Sequence, residues 1–270
     1  MQGAGNDFLV LDNRFYRFSR EELSSLAEQW CPRRFGVGAD GLLALDAADA
    51  ADYRMRYVNA DGSPATMCGN GARCLARYAV AAGLGGPEVA FETDAGRYHG
   101  YVPDSPDAPV RLYVPSPRHF RRAIELRAPL PGPLEAVHYV WTGTEHLVAF
   151  VDALEAADVA TWGRHLRTDA RVQPEGANAN FVRVEHDAED RPRLRLRTYE
   201  KGVEGETLAC GTGVLAAATV AWELGRVEAD PVRVDAAGGA FRVGHEPTER
   251  GTELFLEGPA ESVFRGSFEG

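Results

Sequence analysis

Two cysteines stand out among the side chains that could do chemistry. Cys68 lies in Thr66-Met67-Cys68-Gly69-Asn70-Gly71-Ala72-Arg73-Cys74, and Cys210 in Ala209-Cys210-Gly211-Thr212-Gly213-Val214. A Gly-x-Gly turn and then an alanine-rich apolar run follow each of them, so each is predicted to stand at the entrance of a helix. That position suits a reactive thiol. The first turn of a helix presents backbone N–H groups and the positive end of the helix dipole, both of which favour thiolate. The glycines let the backbone turn tightly and come close to a ligand. Each loop thus reads as an anion cradle with sulfur on its rim.

The two settings belong to a longer repeat. Gly96 in Thr93-Asp94-Ala95-Gly96-Arg97 falls on Gly238 in Val234-Asp235-Ala236-Ala237-Gly238 at the same offset as the cysteines. Within a few residues of that offset, Gly5-Asn6-Asp7-Phe8-Leu9-Val10 matches Gly143-Thr144-Glu145-His146-Leu147-Val148. Ala39-Asp40-Gly41-Leu42-Leu43 likewise matches Ala177-Asn178-Ala179-Asn180-Phe181. Four matches in one order predict an internal duplication. One sulfur on each side of a cleft between two related domains suits a reversible stereoinversion: a thiolate removes a proton from carbon on one face and a thiol returns one on the other. The α-hydrogen of an amino acid is far less acidic than a thiol. Backbone N–H groups of both turns, aimed at the substrate α-carboxylate in a closed, dry cleft, would stabilise the carbanion. Neither a cofactor nor a metal is required.

The elements that must carry these loops follow from the pattern. Phe8 to Leu11 and Leu42 to Leu45 read as apolar strands, and Ser19-Arg20-Glu21-Glu22 caps a helix through Leu23, Leu26 and Trp30. Alternation from Tyr53 to Val58 marks a strand that delivers Asn59 ahead of Cys68, as a strand from Leu194 to Tyr199 delivers Glu200-Lys201-Gly202 ahead of Cys210. A helix is expected over 153–165. Pro115-Ser116-Pro117 breaks the pattern, which gives a first domain over 1–116 and a second over 117–260, with 261–270 returning as a strand to the first. Asn6, beside glycines and ahead of a buried strand, suits a ligand-facing donor and acceptor.

Composition narrows the functions. A chain of 270 residues, 44% hydrophobic, can bury two cores and has no apolar run long enough for a membrane helix. The net charge of −11 disfavours a nucleic-acid partner, and the arginines of Arg191 to Arg197 alternate with apolar residues as the solvated face of a strand. Four cysteines at irregular spacing, none in a C-x-x-C pair, fit reduced thiols better than disulfides or zinc. With no secretory pattern at Met1-Gln2-Gly3, a cytoplasmic protein is expected. Lys201 is the only lysine. A pyridoxal phosphate Schiff base would rest on it alone, in a Gly-rich turn.

Gly5-Asn6-Asp7-Phe8, Gly38-Ala39-Asp40-Gly41, Asn59-Ala60-Asp61-Gly62-Ser63, Cys68-Gly69-Asn70-Gly71-Ala72-Arg73-Cys74, Gly205-Glu206-Thr207 and Ala209-Cys210-Gly211-Thr212-Gly213 together resemble the diaminopimelate epimerase family over nearly the whole chain. The resemblance implies an α/β (α+β) fold of two pseudo-symmetric duplicated domains. Each would be a β-barrel-like mixed sheet around a central helix, with the active site in the cleft between them. It implies cofactor-independent epimerisation of LL- and meso-diaminopimelate by Cys68 and Cys210, in lysine and peptidoglycan precursor biosynthesis. By motif position Gly69, Asn70, Gly211 and Thr212 would hold the reacting α-carboxylate. Asn6, Asn59, Thr144, Asn178, Glu200 and Lys201 would contact the rest of the substrate. A homodimer is compatible with this reading.

The sequence departs from the family pattern where the far end of the substrate is read. Gly143-Thr144-Glu145-His146 stands for the usual Gly-Asn-Pro-His, Glu200-Lys201 for the usual Glu-Arg, and Gln2 for the usual histidine. Lysine keeps the charge of arginine and loses its planar fork, while Glu145 adds a negative charge. Two alternatives therefore stand beside the first reading. One is a racemase of ornithine, lysine or histidine with the same cysteine chemistry. The other is a non-enzymatic thiol switch that pairs Cys68 with Cys210.

Overall fold

The computed structural model describes residues 1–267. By internal packing the chain forms two compact units, one of Met1–Tyr113 with the described residues from Glu257 onward, the other of Val114–Leu256.

The first unit is built on Gly41–Asp46, buried along its whole length. Its Leu-Leu-Ala-Leu run is continuous because both faces are covered. This strand pairs in parallel with Asn6–Asp12 and antiparallel with Tyr53–Asn59. The start of Tyr53–Asn59 pairs in parallel with Glu88–Thr93, and the sheet continues antiparallel through Gly96–Tyr101 and Val110–Val114. The capping box at Ser19 and Glu22 forms as the sequence predicts and opens the helix Arg20–Trp30. Leu23 and Ala27 of that helix bury against Leu42, Ala44 and Val58. The helix Gly69–Ala81 packs on Asn6–Asp12, Gly41–Asp46 and Tyr53–Asn59. It comes so close that a Cβ at Gly71 would lie 3.0 Å from Leu43 Cδ2.

The second unit repeats this order. Glu145–Phe150 pairs in parallel with Asn178–His186, which pairs antiparallel with Pro192–Glu200, which pairs in parallel with Val232–Ala236 and so to Gly239–Thr248. The helix Gly211–Glu223 is buried without interruption from Gly213 to Ala221 and touches strands on all its sides, including His138–Trp141, Asn178–His186 and Gly239–Thr248. Its sequence explains this: Val214-Leu215-Ala216-Ala217-Ala218 is apolar all round, so the helix is a core that the sheet wraps. The fold is thus a mixed α/β architecture in which one strand and helix order occurs twice.

Three local expectations are refined. The helix expected over 153–165 is a short 3-10 turn, Leu154–Ala156, and then a helix Val159–Thr168 that Asp158 caps through Thr161 N–H at 3.0 Å. The apolar spacing runs on across the break and hides it. The arginines of Pro192–Glu200 do not face solvent alone, since Arg193, Arg195 and Arg197 pair with Glu185, Glu155 and Glu206. At the chain end Glu261 bridges Gln2 through two backbone hydrogen bonds of 2.9 and 2.8 Å. Residues 262–267 form no strand, and the last three residues of the expected strand, 268–270, lie outside the described residues. Among the described residues no helix is long and apolar enough to cross a membrane, and no group of three or more His, Cys, Asp or Glu side chains could hold a metal ion.

Candidate active site

Both cysteines are helix N-caps in extended backbone, Cys68 at φ −140°, ψ 119° and Cys210 at φ −118°, ψ 109°. The first intrahelical bonds run from Ala72 N–H to the Cys68 carbonyl and from Val214 N–H to the Cys210 carbonyl. The N–H groups of the first turns precede them and point out of the helix.

In the first unit Gly71 N–H donates to Cys68 Sγ at 3.5 Å. A Cβ at Gly69 would meet nothing within 4 Å, so this part of the turn borders open space. Asn70 is 4% exposed and its amide is committed on both sides. Its nitrogen donates to Asn6 Oδ1 at 3.2 Å, and its oxygen accepts from Arg73 Nη2 at 2.7 Å. Asn6 in turn donates to Asp40, and Arg33 bridges Asp40 and Asp7 at 2.7 Å each. A carboxylate at one end and a guanidinium at the other thus fix the orientation of both amides, since only one assignment of each O and N satisfies the chain. Arg73 is fully buried and also donates to the Pro259 carbonyl at 3.3 Å. Burial lowers its pKa to about 10, against the opposing pull of Cys74 and Cys68, and it remains a cation at neutral pH. Asn59 turns within its own loop, donating to Ser63 Oγ at 3.0 Å.

The other two thiols are poor bases at neutral pH. Burial pushes Cys31 up to about 11, with Asp7 and Asp40 adding to it, and pushes Cys74 up to about 12.

In the second unit Cys210 is 6% exposed, and its Sγ lies 3.4 Å from Thr212 Oγ1. Thr142 Oγ1 donates to the Thr212 carbonyl at 2.8 Å, which ties the turn Thr142–Thr144 to the start of the Cys210 helix. Directly after that turn Glu145 Oε2 accepts from Lys201 Nζ at 2.5 Å and from Thr144 Oγ1 at 3.1 Å. Lys201 N–H donates to Asn178 Oδ1 at 2.8 Å. Thr144 and Lys201 therefore meet at Glu145, and Asn178 holds the Lys201 backbone. Burial raises the pKa of Glu145, but Lys201 and Thr144 outweigh it and its carboxyl falls below the ordinary glutamate value. Burial raises the Glu200 carboxyl, against the Thr207 hydroxyl that donates to it at 2.9 Å. Beneath them His146 is fully buried. Burial takes its pKa down to about 3, so it is neutral, with Asn180 at 3.0 Å from Nδ1 and Asn178 at 3.4 Å from Nε2.

Sequence reasoning passed over Arg73, Asp40 and Thr142. Arg73 left a signal, a charged residue flanked by Ala72 and Cys74 on an apolar helix face; Asp40 pairs with nearby Arg33 but also with distant Asn6, and the partner of Thr142 is distant in sequence.

A strand and helix order that occurs twice defines a fold that solved structures share. A phenazine biosynthesis protein of the PhzF family from Bacillus anthracis matches at TM-score 0.71 and 17% identity, covering 96% of this chain and 91% of its own. A probable proline racemase from Agrobacterium radiobacter K84 matches at TM-score 0.61 and 20% identity, covering 95% and 88%. The fold is that of this PhzF and proline racemase class. Sequence relatives narrow it: diaminopimelate epimerase of Chlorobaculum tepidum is 41% identical over 99% of both chains, and that of Methanocella arvoryzae 38% identical over 100% of this chain and 95% of its own. The family profile described as diaminopimelate epimerase matches residues 1–108 and 138–263. The chain belongs to the diaminopimelate epimerase family.

Proposed function

We propose that the protein interconverts LL- and meso-diaminopimelate by two-base proton transfer, without cofactor, in lysine and cell-wall precursor biosynthesis. Cys68 and Cys210 are the two bases. One thiolate takes the α-proton, the electron pair is held on carbon and the α-carboxylate, and the other thiol delivers its proton to the opposite face. The thiolate and thiol then stand exchanged, ready for the reverse reaction. Gly69, Asn70, Gly211 and Thr212 hold the reacting carboxylate with first-turn N–H groups. Asn6, Asn59, Thr144, Asn178, Glu200 and Lys201 bind the rest of the substrate, and the enzyme works in the cytoplasm, where thiols stay reduced. The observation that carries this reading is the matched placing of the two cysteines as N-caps of repeated helices in a member of this family.

The test is α-proton exchange followed by NMR in heavy water, with LL- and meso-diaminopimelate. Wild type should exchange without added pyridoxal phosphate or metal, and Cys68→Ala and Cys210→Ala should each lose epimerisation by about 10²- to 10⁴-fold, the usual worth of a positioned acid or base. Full activity in either variant would end the two-base reading. L-ornithine, L-lysine and L-histidine belong in the same experiment, and exchange of one of them in place of diaminopimelate would favour the racemase reading instead.

A further inference from the structure

Glu145 places a carboxylate of the chain itself on two donors, Lys201 Nζ at 2.5 Å and Thr144 Oγ1 at 3.1 Å. Both donors lie in the region where the far end of the substrate is expected. The site is built rather than accidental. Asn178 Oδ1 holds the Lys201 backbone N–H, and Thr142 fastens the preceding turn to the helix behind Cys210. Glu145 and Lys201 are each only about a quarter exposed, so the pair is partly shielded from water. Two other places in the fold are weaker. The cleft of about 320 Å³ beside Trp222, Asp230 and His245 is acidic, with nothing to indicate its occupant, and the groove under Phe35 and Phe264 is apolar and equally mute.

We propose that Glu145 is a specificity-determining residue, a built-in carboxylate that occupies the distal anion site and yields it only to a tail carrying both a carboxylate and an ammonium group. This rests on the diaminopimelate reading above. A tail with both charges can take Lys201 and Thr144 with its carboxylate while its ammonium takes the displaced Glu145. One ion pair is exchanged for two. A tail with a carboxylate alone must displace Glu145 and leave it without a counter-charge beside a second anion. A tail with an ammonium alone meets a Glu145 already satisfied by Lys201. Neither half-charged tail repays the opening, and a buried polar group left unmatched is the strongest ground for rejecting an analogue.

The experiment compares kcat/KM for α-proton exchange on three ligands: meso-diaminopimelate, 2-aminopimelate, which has the distal carboxylate and no distal ammonium, and L-lysine, which has the ammonium and no carboxylate. Wild type should favour diaminopimelate over both. Glu145→Gln should shift the preference towards 2-aminopimelate on the order of tenfold, because Lys201 is released and no anion is stranded. Lys201→Met should shift it towards L-lysine in the same measure, because Glu145 is released. Opposite shifts in two variants cannot come from general loss of folding, and thermal melts of both check it. Ratios unchanged in both variants, with diaminopimelate still exchanged by wild type, would overturn the role of Glu145 alone. Failure of wild type to exchange diaminopimelate would instead overturn the proposed substrate.

Discussion

Cys68 and Cys210 hold the same place in the two repeats but have unlike neighbours. Five residues after Cys68 comes Arg73, fully buried and charged, and five after Cys210 comes Leu215. A fixed cation on the Cys68 helix should favour an anionic sulfur there. Replacing it by Arg73→Met is expected to slow iodoacetamide alkylation of Cys68 at pH 7 on the order of tenfold, with Arg73→Lys retaining more of the rate. Equal rates in all three proteins would mean that Arg73 only packs and orients Asn70. The glycines of the two turns separate binding from folding. Gly69→Ala adds a methyl that meets nothing within 4 Å and should leave the melting temperature unchanged while raising KM. Gly213→Ala drives a methyl to 2.6 Å from Asn180 Oδ1 and should cost about 1–3 kcal/mol in denaturant unfolding.

At the scale of elements, the second unit's parallel pair of Glu145–Phe150 and Asn178–His186 encloses His146 in its neutral form. In the folded protein this pKa is about 3 and in the unfolded chain about 6.5. Between those values the unfolded chain binds the extra proton, so the stability that His146 contributes is present above about pH 6.5 and is lost progressively below it. Burying His146 uncharged should cost about 2 kcal/mol at pH 5 relative to pH 7. His146→Gln should flatten the unfolding free energy against pH over that range, and an unaltered slope would show the ring to be protonated in place. The elements themselves were largely legible. The Gly-x-Gly turns, the capping box at Ser19 and the alternating strands have local causes written in adjacent residues. What stayed hidden has tertiary causes: a guanidinium within an apolar helix face, a threonine hydroxyl reaching a carbonyl of a distant turn, and a break at Ala157 where hydrophobic spacing continued. The motifs single out Asn6 and Asn70 one at a time, but their bond to each other was not legible.

For the molecule as a whole, the chain ends are sewn into one unit. Glu257 meets Arg111, the Pro259 carbonyl meets Arg73, and Glu261 bridges Gln2. Truncation after Leu256 should therefore leave the buried Arg73 short of an acceptor and abolish soluble, cooperatively folding protein, whereas truncation after Glu261 should melt close to the full chain in calorimetry. Of the 29 cationic lysine and arginine side chains, only Lys201 is an amine, and it is closed by Glu145. The Met1 amine donates to the Phe8 carbonyl at 2.9 Å, and burial lowers its pKa. Guanidinium groups remain protonated at neutral pH and are poor nucleophiles there. An acylating reagent or an aldehyde would find one ε-amine in the entire sequence, and the rate at which Lys201 is tagged, read by peptide mapping apart from the α-amine, would report whether its ion pair with Glu145 is shut: the molecule carries a gauge of that contact.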